Sequence, residues 1–213
     1  MTDNDRSLTH AFFDVGGVLG SNGWDREQRA RAVERFRLDD EFEPRHAELA
    51  AEWETGRVSL DDYLDSTVFY EPRPFTREAF VEFMLAQSVP DDACLAVVRR
   101  LAAAGRVRLF TLNNESETLN TYRIASFGLR GVFDGFLSSC WLGLRKPSPL
   151  IFQRALHIVQ AAPAQVLFVD DRAQNLRPAE RLGMRTHHFT DAASLGAALE
   201  AHGLLDKDGR APV

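Results

Sequence analysis

The stretch that most constrains this chain is Ala-Phe-Phe-Asp-Val-Gly-Gly-Val-Leu at residues 11–19, an apolar run that ends in a carboxylate, Asp14, followed by two glycines. A strand covered on both faces shows a continuous apolar run rather than alternation, so residues 11–13 are expected to form an inner strand of a parallel sheet. Asp14 then falls at the carboxyl end of that strand, where open α/β sheets place their ligands. Gly16 and Gly17 permit a tight turn or the close approach of an ion or phosphate. Alone, Asp-x-Gly-Gly is a common strand and turn. The rest of the chain gives it meaning.

The same pattern recurs downstream. A strand expected at 107–112 runs into Asn113 and Asn114, and one at 166–169 runs into Asp170 and Asp171. Lys146 stands just before Pro147, at the start of a helix expected over 147–159. Further strands at 132–137 and 185–189 alternate with helices at 91–104, 116–127, 175–182 and 192–202, which predicts a parallel sheet with right-handed crossovers. Residues 24–88 carry no strand pattern. Four amphipathic helices are expected there, at 25–38, at 43–54, after an N-cap at Ser59 and after another at Thr76, and together they make a small bundle. The expected organisation is an α/β core over 8–20 and 89–205, a helical insertion over 21–88 and a loose tail over 206–213.

Carboxylates at the ends of apolar strands are costly unless a cation meets them. Few ligands, all of them oxygens, suit Mg²⁺. Lys146 adds a fixed positive charge, and the amides of Asn113 and Asn114 can donate to phosphate oxygens. These are the parts of a phosphoryl-transfer site: a carboxylate nucleophile, a divalent ion, a lysine and hydrogen-bond donors. A receiver domain places its acidic pair first and the phosphorylated aspartate later, and here the order is reversed.

Composition excludes other classes. The formal net charge is −6 and no basic stripe is present, so nucleic acid is not an expected partner. Cys94 and Cys140 are too few for a disulfide framework. Met1 to Ser7 contain no apolar signal core, and no apolar run approaches the roughly 20 residues a membrane span requires. The expectation is a soluble, cytoplasmic protein. The oligomeric state is not legible.

Asp14-Val-Gly-Gly-Val-Leu, Leu-Asn113-Asn114, Gly143-Leu-Arg-Lys146-Pro147 and Val169-Asp170-Asp171 with Asn175 four residues on resemble, in order, the four motifs of the haloacid dehalogenase-like hydrolase superfamily. The run from Asn175 to Met184 is also similar to the N-terminal phosphatase domain of soluble epoxide hydrolases and to related sugar phosphatases. The resemblance implies a Rossmann-like parallel sheet of order 3-2-1-4-5 with an inserted small helical cap. It implies that Asp14 attacks phosphorus to form an aspartyl-phosphate, while Lys146 neutralises Asp14 and the phosphate. Mg²⁺ would be held by Asp14, the Gly16 carbonyl and Asp171, with Asp170 behind them or acting through water. Asn113, with Asn114 beside it, would bind the substrate phosphate.

Two positions depart from that family's pattern. Gly16 stands where the family usually has a second aspartate, which protonates the leaving group and then activates water; such a group typically contributes ~10²–10⁴-fold in rate. Asn113 stands where Ser or Thr is usual. The alternatives to a phosphatase are a non-catalytic phosphate-binding or interaction protein and, further behind, a haloacid dehalogenase, whose attack on carbon needs no Mg²⁺. Trp24 and Arg57 are weighed as substrate contacts against core and surface roles. His187 and His188, adjacent on a strand, point to opposite faces and cannot chelate one ion together.

Overall fold

Residues 7–206 are described by the computed structural model. Five strands, β1 (His10–Phe13), β2 (Arg108–Thr111), β3 (Gly135–Phe136), β4 (Val166–Asp170) and β5 (Arg185–His188), form one sheet. All neighbours pair in parallel, in the order β3-β2-β1-β4-β5. Among the described residues the helices are α1 (Arg26–Phe36), α2 (Phe42–Glu54), α3 (Leu60–Thr67), α4 (Arg77–Ala86), α5 (Asp92–Ala104), α6 (Glu117–Ser126), α7 (Ser139–Leu142), α8 (Pro149–Val159), α9 (Ala173–Arg181) and α10 (Ala192–Ala201).

Register positions the site. Phe13 lies opposite Thr111 of β2 and Val169 of β4, so Asp14, Asn113 and Asp170 emerge at one edge of the sheet. The continuous apolar runs are explained by covered faces. Ala11, Phe13, Leu109, Leu167 and Val169 pack one layer with α5 and α10, while Phe12, Phe110 and Phe168 pack the other with Ile151 and Phe152 of α8. The helices α1–α4 share a third apolar cluster around Trp24, Trp53, Tyr63 and Phe80, which reaches Leu119 of α6. Ser59 accepts a hydrogen bond from Asp62 N (3.1 Å) and Thr76 accepts one from Ala79 N (3.2 Å), so both act as the N-caps expected.

Two elements differ from expectation. The third strand is confined to Gly135–Phe136, because the N–H groups of Val132 and Phe133 are spent on Leu129 O at the end of a 3₁₀ turn and cannot enter the ladder. The helix expected from Pro147 begins at Pro149, capped by the Ser148 side chain, with Pro149 in the first turn where proline is favoured. Pro147 instead follows a cis peptide bond with Lys146. The short helix α7 was not expected at all.

The expected loose tail falls mostly outside the described residues; Asp206 itself is held by Arg106 at 2.8 Å. His187 meets Ser194 and His188 meets the Asp171 carbonyl, so the adjacent imidazoles have separate partners. Cys94 and Cys140 are buried and unbridged. No helix among the described residues is long and apolar enough to cross a membrane.

Candidate active site

Lys146 joins two of the strand ends. Its Nζ lies 2.9 Å from Asp14 Oδ2 and 2.6 Å from Asp170 Oδ2, and all three residues are buried. Burial opposes the lysine's charge, yet the two carboxylates hold its ammonium above the usual lysine range. Burial likewise pushes the Asp14 carboxyl upward, and Lys146 opposes that shift. Asp14 Oδ1 accepts from Val15 N at 2.8 Å, so the nucleophile candidate is fixed through both oxygens.

Asp170 is fully enclosed. Its carboxylate accepts from Asn175 Nδ2 (3.0 and 3.1 Å) and from Arg172 N (2.8 Å) besides Lys146. Asp171 is half-buried, and its Oδ1 has no hydrogen-bond partner. Asp14, Asp170 and Asp171 each offer a carboxylate oxygen, all within 4.8 Å of one another. Hard oxygen donors at this spacing fit a divalent ion such as Mg²⁺. Gly17 has φ +74°, and a Cβ there would collide with the Asp171 carboxylate, which gives the second glycine of the motif its reason.

The two asparagines part ways. Asn114 lines the cleft and clamps the lysine backbone: its Oδ1 accepts from Lys146 N and its Nδ2 donates to Lys146 O, both at 2.8 Å. Asn113 is buried with its amide donating to Asn120 Oδ1 at 3.1 Å, and it is not among the residues that line the cleft.

The cleft over Asp14 has a volume of about 110 Å³. Gly16, Trp24, Asp25, Arg29, Glu54, Glu115, Arg145 and Arg172 also line it. Ion pairs span from the α/β layers to the inserted helices: Arg172 to Asp25 at 2.6 Å and Arg145 to Glu54 at 2.8 Å. Trp24 faces the cleft but is anchored through its Nε1, which donates to Tyr63 Oη at 3.1 Å. Arg57 is exposed and not among the lining residues.

Sequence reasoning passed over Glu115 and its partner Arg123. Glu115 directly follows the strand-end asparagines, and that position was the signal that could have drawn attention to it. Arg123 is almost fully buried. Its Nη1 lies 3.4 Å from Glu115 Oε2, its Nε donates to Ser88 Oγ (3.1 Å) and its Nη2 to Ser21 O (3.0 Å). It therefore fastens both chain segments that lead into and out of the helical insertion.

Fold and site together define a doubly wound α/β protein with a carboxylate cluster and a lysine at its switch point. The chain belongs to the haloacid dehalogenase-like hydrolase family, whose model matches residues 8–183. It is 25% identical over 199 residues to bifunctional epoxide hydrolase 2 of Sus scrofa, a match covering 84% of this chain and 36% of that protein. The chain thus spans about a third of that relative's length. It is 28% identical over 196 residues to a sesquiterpene phosphatase of Aspergillus oryzae, covering 92% of this chain and 95% of that one. Among solved structures, a HAD family enzyme from Bacteroides thetaiotaomicron superposes with a TM-score of 0.76 at 18% identity, over 86% of this chain and 94% of the other. That likeness shows the fold. The same enzyme is also known in complex with magnesium and inorganic phosphate.

Proposed function

We propose that this family member is a Mg²⁺-dependent phosphatase acting on a small phosphorylated metabolite. The observation that carries the reading is Lys146 Nζ set between Asp14 and Asp170, beside an Asp171 oxygen that lacks a partner. Asp14, the Gly16 carbonyl and Asp171 would hold the ion, with Asp170 kept behind them by Lys146 and Asn175. When bound, Mg²⁺ would neutralise and orient the phosphate oxygens. Similarity to a sesquiterpene phosphatase, and the magnesium and phosphate found in a protein of like fold, support the reading.

In this mechanism Asp14 attacks phosphorus and the leaving oxygen departs with the bonding electrons, leaving an aspartyl-phosphate. Lys146 stabilises the charge on the phosphate, and Asn114 fixes Lys146 by gripping its backbone. The expected contact of Asn113 with phosphate requires its amide to turn away from Asn120. The inserted helices act as a cap that excludes water and sets the size of the leaving group. A cleft of about 110 Å³ with charged walls suits a small polar substrate. The buried, unbridged cysteines agree with a cytoplasmic location.

Gly16 is the observation that favours the alternative, a phosphate-binding protein without turnover. Hydrolysis of p-nitrophenyl phosphate decides between them, because that leaving group needs little protonation. Release that requires Mg²⁺ and disappears in Asp14→Asn is the expected result. A folded protein that binds Mg²⁺ yet releases no more nitrophenol than Asp14→Asn would overturn the phosphatase reading.

A further inference from the structure

We propose that Glu115 supplies the general acid and base that Gly16 cannot, so that the proton-transfer function has moved from the loop after β1 to the loop after β2. The inference rests on the phosphatase reading and deepens it.

Three observations meet at one place. Glu115 lines the same cleft as Asp14, Gly16 and Lys146. A Cβ built on Gly16 would stand 3.4 Å from Arg123 Nη1, and that same Nη1 lies 3.4 Å from Glu115 Oε2. A carboxylate at position 16 and the carboxylate of Glu115 would therefore face one guanidinium, and only the second exists in this chain. The Glu115 carboxyl is also oriented: Oε1 accepts from Ser116 N at 3.2 Å, which leaves Oε2 for the arginine and the cleft.

The electrostatics suit the task. Burial raises the Glu115 carboxyl, Arg123 opposes that, and the negative charges of Glu54 and Asp14 add to it, so that the group is pushed up to about 7. A carboxyl poised near neutrality can both give and take a proton at working pH. Arg123, held by Ser21 and Ser88, keeps the conjugate carboxylate paired once the proton has left.

The two steps balance. As Asp14 bonds to phosphorus, the phosphorus–oxygen bond to the leaving group breaks, its electrons go to that oxygen, and protonated Glu115 gives it a proton. The Glu115 carboxylate then takes a proton from water whose oxygen attacks the aspartyl-phosphate. The bond from phosphorus to Asp14 breaks, its electrons return to the Asp14 carboxylate, and inorganic phosphate leaves. Glu115 is protonated again.

The test compares phenyl phosphate, a poor leaving group, with p-nitrophenyl phosphate in the full chain and in Glu115→Gln. We expect kcat/KM for phenyl phosphate to fall about 100-fold or more, with the nitrophenyl ester falling about tenfold or less. Phosphate should also accumulate on Asp14 in acid-quenched samples. The ratio of the two substrates does not depend on the fraction of protein that is folded. Glu115→Asp should keep the wild-type ratio at a lower rate. Gly16→Asp placed in the Glu115→Gln background should restore it. Equal losses on both substrates, or no loss, would show that Glu115 only positions Arg123 and would overturn the inference alone. Absence of any Asp14-dependent turnover in the wild type would overturn the phosphatase reading and this inference with it.

Discussion

Arg123 Nη1 stands 3.4 Å from the point a Cβ on Gly16 would occupy, so the side-chain slot beside the loop after β1 is walled by a buried guanidinium. Arg123 is 1% exposed and ties Ser21, Ser88 and Glu115 together. One residue thus couples the loop after β2 to the two segments that lead into and out of helices α1–α4.

Arg123→Met should cost about 3–5 kcal/mol, because it strands the buried Glu115 carboxylate without its cation and unties both segments. Combining it with Glu115→Gln should cost less than the two single changes added together, since the stranded charge is then gone. Urea unfolding of the four proteins measures this. Additive costs would mean that the pair does not interact.

Of the two neighbouring glycines, only Gly17 should lose function on substitution by alanine. At Gly16 the nearest atoms to an added Cβ are 3.4 Å away and the backbone is not left-handed, so Gly16→Ala should unfold within about 1 kcal/mol of wild type. At Gly17, φ is +74° and the methyl meets the Asp171 carboxylate. Gly17→Ala should lose stability by about 1–2 kcal/mol from the left-handed backbone alone. Its Mg²⁺-dependent turnover should drop as Asp171 is displaced. Equal turnover in the two variants would contradict this account of the loop.

His46 should make the protein weaker in mild acid. It is buried among α1–α3 against Tyr63 Oη (2.9 Å), and burial, aided by Arg29, lowers it from 6.5 to about 4. The folded state keeps it neutral while the unfolded chain binds a proton below its ordinary range. Stability from this group is therefore complete above pH 6.5, falls as pH drops towards about 4 and then levels off. The loss is on the order of 3 kcal/mol. Thermal melts from pH 7 to 4.5 should show a shallower decline for His46→Gln than for wild type. Parallel declines would assign the acid sensitivity elsewhere.

Arg172 and Asp25 bridge the core and the inserted helices with side chains 46% and 41% exposed. A pair this open contributes about 0–1 kcal/mol, so Arg172→Ala should leave the melting temperature nearly unchanged. Both residues line the cleft, and the substitution should raise KM severalfold. Added salt should shrink the difference between variant and wild type. A large fall in melting temperature with KM intact would reverse the assignment.

Much of this molecule is written locally. The apolar run before Asp14 and the run before Asp170 announced covered strands, since a strand packed on both faces carries residues such as Phe12 and Phe13 in succession. Ser59 and Thr76 marked helix starts because their side chains satisfy end groups within a few residues. The edge strand at Gly135–Phe136 was overestimated, because the Leu129 carbonyl captures N–H groups that periodicity assigns to a ladder. Pro147 read as a helix start because a first-turn proline is common, while Pro149 two residues later holds that position.

The sequence by itself determined the sheet, its order, the arrival of Asp14, Asp170 and Lys146 at one edge, and the absence of a carboxyl at position 16. The strands and the residues at their ends follow from short-range patterns and the crossovers from their handedness, while the order 3-2-1-4-5 is what the resemblance to the haloacid dehalogenase-like family implied. Only the tertiary structure decided which side chains meet around that position. Arg123 bonds to Ser21 across 102 positions and to Ser88 across 35, and Asn113 turned to Asn120 while Asn114 took hold of Lys146. Such pairings depend on which faces the packed layers bring together. No local periodicity encodes them.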